Sequence, residues 1–194
     1  MTYTMLRLVH LIGAVLLGAG LVGVFVSDLR ARAMTALALY AESVRAMAVF
    51  YDGLVVPGAL LLAGSGTWLI VEFHGWTAFE QPWLAGMIAL FLFEFVEGNT
   101  VTRAYIVRMR RLAGESLAQG RATPALLQAR GAALPTFTHF LDLPLFATIL
   151  ALGVVRPQDW ATLAAAVAIA LAVAVALTLL LPRLYPGDPL GAAA

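Results

Sequence analysis

Five long apolar runs divide the chain, at about 4–26, 46–73, 82–105, 133–155 and 159–181. Each is near or above the roughly 20 residues that cover the hydrocarbon core of a bilayer. None shows the strict alternation of a strand. The expected fold is therefore all-α, a polytopic transmembrane helical bundle in one domain. Four helices form its core. The fifth is peripheral, because Asp159 to Leu181 carries no ionisable residue after its first position and needs no polar neighbour.

The connections between the runs differ in character. Asp28 to Arg45, with Arg30, Arg32 and Glu42 among Ala, Leu and Met, reads as a helical extension and an amphipathic connection at the membrane surface. Ala31-Arg32-Ala33 resembles a signal-peptidase site, but the apolar run before it exceeds the roughly 7 to 15 residues of a secretory signal, so a retained helix is expected. Pro57-Gly58 predicts a kink in the second span, and Gly64-Ser65-Gly66 a thinner stretch beyond it. His74 to Gln81 is a short loop without Arg, whose His74 reads as a solvated histidine. Trp76 and Trp83 suit the interface. The third span runs on as helix through Arg111, and Gly114, Gly120 and Thr123-Pro124 interrupt the basic connection that follows. The tail from Pro182 to Ala194 is expected to be ordered only where it lies on the bundle. Arg concentrates in the first and third connections, so the positive-inside rule predicts the N-terminus outside and the C-terminus inside.

Composition narrows the chemistry. Of 194 residues, 62% are hydrophobic and 12% charged, against about a quarter charged in soluble proteins. There is no cysteine, which excludes disulfides, iron–sulfur clusters and thiolate ligation or catalysis. All 12 basic residues are Arg, which excludes a lysine Schiff base. The net charge of +1 gives no indication of nucleic acid.

Against this background the ionisable residues inside the spans stand out, since intramembrane charge is costly and is a functional-site hypothesis by default. Counting from the Arg-rich ends, Asp52, Glu97 and His139 lie roughly 9 Å deep, and Glu94 and Asp142 roughly 13 Å. Glu94/Glu97 and His139/Asp142 are i,i+3 pairs, each facing one neighbour. Four readings fit this layer. It is a structural network paired with Arg103 and His139, a proton or ion pathway, a divalent-metal site of Glu94, Glu97, His139 and Asp142, or a proton relay serving a redox cofactor bound elsewhere. The metal reading lacks the usual Glu-x-x-His spacing. His10 lies near the opposite end of its span, too far from His139 for both to hold one iron. It is either an axial haem ligand or a histidine satisfied by an interhelical hydrogen bond.

The runs His10 to Gly20, Pro57 to Leu69, Gly75-Trp76 with Pro82-Trp83-Leu84, Arg103 to Arg111, and Leu143-Pro144 with Arg156-Pro157 form one pattern. It resembles a bacterial domain-of-unknown-function family of predicted integral membrane proteins. More distantly, it is similar to protoporphyrinogen oxidases of the HemJ type, four-helix proteins associated with haem b. The resemblance covers about residues 5 to 157. It implies that His10 matches the first-helix histidine of the HemJ type and that Asp142 falls near its acidic residue before Leu-Pro. The lysine of that type has no counterpart where Pro82-Trp83 stands, so the resemblance extends to haem b rather than to the oxidase reaction.

The resulting expectation is a multi-pass protein of the bacterial inner membrane with a buried carboxylate/His layer. It is redox-associated and binds haem b through His10, with Arg103 or Arg108 meeting a propionate. Asp52, Glu94, Glu97, His139 and Asp142 would move protons or hold a divalent metal. The alternatives are an accessory or assembly subunit of a larger membrane complex and a proton-coupled or metal-ion transporter, although no internal repeat supports the transporter. The expected partners are lipid and a second copy or a larger complex.

Overall fold

A computed structural model describes residues 2–185, and the part of the expected tail beyond them lies outside the described residues. The described chain is helical, with no strand. Helix α1 spans Tyr3–Ala33. It is followed by α2 (Leu37–Phe50) and α3 (Val56–Phe73), which a π-helical turn at Tyr51–Val55 joins into one rod. A 3-10 turn at Gly75–Phe79 leads to α4 (Pro82–Glu97), which continues through a second π turn, Gly98–Thr102, into α5 (Arg103–Ala118). The short α6 (Pro124–Arg130), then α7 (Ala133–Val155) and α8 (Trp160–Leu184), complete the chain. Five of these continuous rods are long and apolar enough to cross a membrane.

Close backbone contact fixes how α1 meets α3. A Cβ added at Gly58 would lie 2.5 Å from the Leu17 amide nitrogen, and one at Gly13 would lie 3.0 Å from that of Leu62. In lipid, where apolar burial supplies little driving force, such contacts and van der Waals packing hold helices together. The glycines of the first span therefore serve packing. Helix α8 lies outside the others, mainly against α7, to which it presents the buried Ala170 and Ala174.

The Arg-rich end differs from the sequence expectation. Leu37–Phe73 and Pro82–Ala118 are each 37 residues long, roughly 55 Å against a hydrocarbon core of about 30 Å. Both rods project beyond the bilayer and, with the end of α1 and with α6, build a helical head. The stretch expected to lie on the membrane surface is part of it. Its apolar stripe, Tyr40, Val44 and Met47, packs on the matching stripe of α5, Tyr105, Met109 and Leu112. That contact buries the same residues without lipid. In the head water is the alternative environment, so residues as enclosed as Leu126 and Met109 each contribute about 1.5–3 kcal/mol. Gly114 does not interrupt α5. The break comes at Gly120, with φ of 66°, and Thr123 caps α6 by accepting from the Leu126 amide.

Pro57 does not break the second span. The π turn immediately upstream widens the helix where proline removes a donor, and the rod stays continuous.

Candidate functional site

A cavity of about 530 Å³ opens among α1, α3, α4 and α7 at the end opposite the head, within the usual range of ligand sites. Its walls are apolar, with Leu62, Leu84, Met87, Phe91, Phe146 and Ile149 among them. Its few polar groups are cationic or neutral: Arg7, His10, Thr67, His74 and Arg156. Among the described residues no carboxylate lines it.

His10 is held in one orientation. Its Nδ1 lies 3.0 Å from Ser65 Oγ on α3, and the Ser65 hydroxyl donates its only proton to the Leu61 carbonyl. Ser65 must then accept, so Nδ1 carries the hydrogen and Nε2 keeps a lone pair. Gly66 makes room for the ring, since a Cβ there would lie 3.3 Å from His10 Cε1. An imidazole donating from Nδ1 to a fixed acceptor, with Nε2 free in a cavity, is the arrangement of a metal-ligating histidine. The sequence offered ligation and an interhelical hydrogen bond as alternatives. One geometry accommodates both.

At the mouth, Arg156 ends α7 in the left-handed region, φ 51° and ψ 56°. Glycine is the usual residue there, and a side chain costs about 1–2 kcal/mol. The guanidinium of Arg156 lies over the Trp83 ring at 5.1 Å, and its Nε donates to the Gly153 carbonyl at 3.3 Å. Arg7 lies over Tyr3 at 5.4 Å. His74 stands edge-on to Trp83, and its Nδ1 is buried without a hydrogen-bond partner. It is a cavity residue rather than the solvated loop histidine expected.

Toward the head lies a carboxyl cluster. Thr102 donates to Glu97, at 3.0 Å to Oε1 and 3.3 Å to Oε2. These residues are five apart and meet because the intervening turn is π-helical, which stacks i on i+5. Asp142, from α7, is buried close to Glu97, and Glu94 approaches the pair from the next turn. Tyr51 donates to the Gly98 carbonyl at 2.6 Å and so joins the two π turns. A smaller cavity of about 40 Å³ is lined by Glu94, Asp142, Gly98 and Asn99, room for two or three waters. Glu94 Oε1 is buried there without a protein partner. The two cavities share Phe91 and stack along the same helices: Leu17, Ala59 and Glu94 line one, and Ala14, Leu62 and Phe91, each three residues away, line the other.

The expected layer is thus only partly assembled. Asp52 has the right depth but the wrong azimuth. It sits half exposed and pairs at 3.3 Å with Arg103, itself half exposed. His139 turns away from the carboxyls, its Nε2 3.8 Å from Asp28 Oδ2 and lacking a hydrogen bond. Asp28 in turn holds Arg32 at 2.7 Å, with both groups buried. Among the described residues no three His, Asp or Glu side chains converge as a metal-ion site. Glu94, Glu97, His139 and Asp142 therefore do not form the ligand set expected. Arg103 and the exposed Arg108 line neither wall nor mouth of the His10 cavity, so they do not serve it. Arg7 and Arg156 stand in that place. Sequence reasoning missed them, together with Asp28, Ser65, Tyr51 and Thr102. Only Arg156, beside a proline at a span end, and Asp28, a charge at a span end, gave any signal.

No curated protein and no solved structure matches this chain. A family model does, over residues 4–157, a stretch that begins one residue into α1, ends just past Arg156 and includes every residue lining either cavity except Tyr3. The chain belongs to the family described as predicted integral membrane protein (DUF2269).

Proposed function

We propose that this membrane protein binds haem b in the larger cavity, with His10 Nε2 as axial ligand, and that the carboxyl cluster exchanges protons with that site. The observation that carries the reading is the His10–Ser65 pair, which leaves a free imidazole nitrogen facing an apolar cavity of about 530 Å³. Haem supplies one-electron chemistry when bound. The chain's own residues fix the ring plane of His10, exclude water with Phe91, Phe146 and Ile149, and meet anionic groups at the mouth with Arg7 and Arg156. The carboxyl cluster supports proton exchange because Glu94, Glu97 and Asp142 gather at one place in the bundle. Water in the smaller cavity would join Asp142 to Glu94, one turn from Phe91. The Arg-rich head is assigned to the cytoplasmic side of a bacterial inner membrane by the positive-inside rule.

The test is the absorption spectrum of protein purified in mild detergent from haem-replete cells. A Soret band is expected, and His10→Ala should abolish it. A colourless wild type, or a variant that keeps full haem, overturns the assignment. For proton exchange, the midpoint potential should fall as pH rises. Glu94→Gln should flatten that dependence with the Soret band intact. The groups facing Glu94 are Glu97 and Asp142, with Tyr51 beside them and the Asp52–Arg103 pair beyond. An unchanged slope removes Glu94 from the route.

A further inference from the structure

The mouth of the larger cavity carries positive charge that nothing in the described structure neutralises. Arg7 and Arg156 come from the outer ends of α1 and α7, and neither takes part in a salt bridge among the described residues. Each is braced on an aromatic ring, Tyr3 and Trp83 respectively, which orients a guanidinium without consuming its terminal nitrogens. His74 adds a buried Nδ1 without a partner against the same Trp83. Arg156 occupies a left-handed backbone position that favours glycine.

Depth separates these groups from His10. His74 lies eight residues along α3 from Gly66, which touches the His10 ring, so it stands roughly 12 Å higher. That distance excludes His74 as a second ligand to an iron held by His10 and places it with Arg7 and Arg156 at the rim. The rim therefore fits a molecule whose apolar body fills the cavity and whose anionic groups all lie at one edge. A porphyrin with two carboxylates on one side has this form.

We propose that Arg7 and Arg156 are a carboxylate clamp, each receiving one propionate of the bound porphyrin. The inference rests on the haem reading and extends it from the ligand atom to the choice of macrocycle. The clamp would hold the carboxylates of the bound group at the end of the cavity where Arg7 and Arg156 stand. It selects against uncharged porphyrins.

The experiment is a titration of detergent-purified apoprotein with haemin and with haemin dimethyl ester, which keeps the iron and the apolar body but lacks the charge. Wild type should bind haemin about a hundredfold more tightly than the ester, about tenfold for each charge-assisted contact. In Arg7→Gln/Arg156→Gln, haemin affinity should fall to that of the ester while ester affinity stays the same, which also shows that the cavity remains folded. Equal loss for both ligands, or no discrimination by wild type, overturns the clamp and leaves haem binding standing. Failure of wild type to bind either porphyrin overturns both readings. Competition by anionic phospholipid that the double variant abolishes, with no preference for haemin over its ester, makes the rim a lipid site and overturns its assignment to porphyrin.

Discussion

At the scale of single residues, the informative groups are buried polar atoms, paired both within a helix and across helices. Asp28 and Arg32 form a buried pair at 2.7 Å beneath the head, and Arg130 donates to the Arg32 carbonyl at 3.1 Å. Removing one member of such a pair leaves a buried charge without compensation, which costs about 3–5 kcal/mol. Asp28→Asn should therefore lower the unfolding free energy in detergent by about 3 kcal/mol. A loss under about 0.5 kcal/mol, the range of ordinary surface changes, would show that the pair contributes nothing. Asp28 was legible only as a charge at a span end, because its partner His139 lies over 100 positions away. Depth along a helix can be counted from a sequence, which put Glu97 and Asp142 within about one turn of each other. Azimuth cannot be counted across a π turn, which is why Asp52 was assigned to the layer although it faces outward.

At the scale of elements, the two π turns and the helix caps decide which side chains meet. An extra residue per turn brings Thr102 onto Glu97 and leaves the Gly98 carbonyl available to Tyr51. No simple periodicity announces such a turn in advance. The start of α8, by contrast, was legible. Asp159 accepts from the Thr162 amide at 2.7 Å and from its hydroxyl at 2.8 Å, so the first residue of the expected fifth span is the N-cap of α8. These hydrogen bonds hold the exposed carboxyl below its ordinary value of 3.8. A depressed carboxyl contributes stability that is present above the unfolded value and lost as pH falls through the folded one. The first turn of α8 should therefore fray as pH drops below 3.8. Amide exchange at Thr162 should rise over that interval and be high at every pH in Asp159→Ala. An acid-insensitive Thr162 amide would refute the cap.

At the scale of the molecule, the apolar runs gave the five spans and their order, because length and hydropathy suffice for that. They did not give the head, since a stripe such as Tyr40, Val44 and Met47 reads alike whether it meets lipid or α5. The two cavities and the head together give the molecule a direction: an Arg-rich cap, a carboxyl cluster beneath it, and the histidine cavity at the far end. Whether that direction runs from cytoplasm to exterior is open to a clean test, because the chain contains no cysteine. Gln119, beyond the end of α5, and Gln158, between α7 and α8, are both exposed and lie at opposite ends. In intact cells a membrane-impermeant maleimide should label Gln158→Cys and spare Gln119→Cys until the membrane is permeabilised. The reverse pattern would place the head outside, put the porphyrin cavity on the cytoplasmic side, and require the cluster to draw its protons from the exterior.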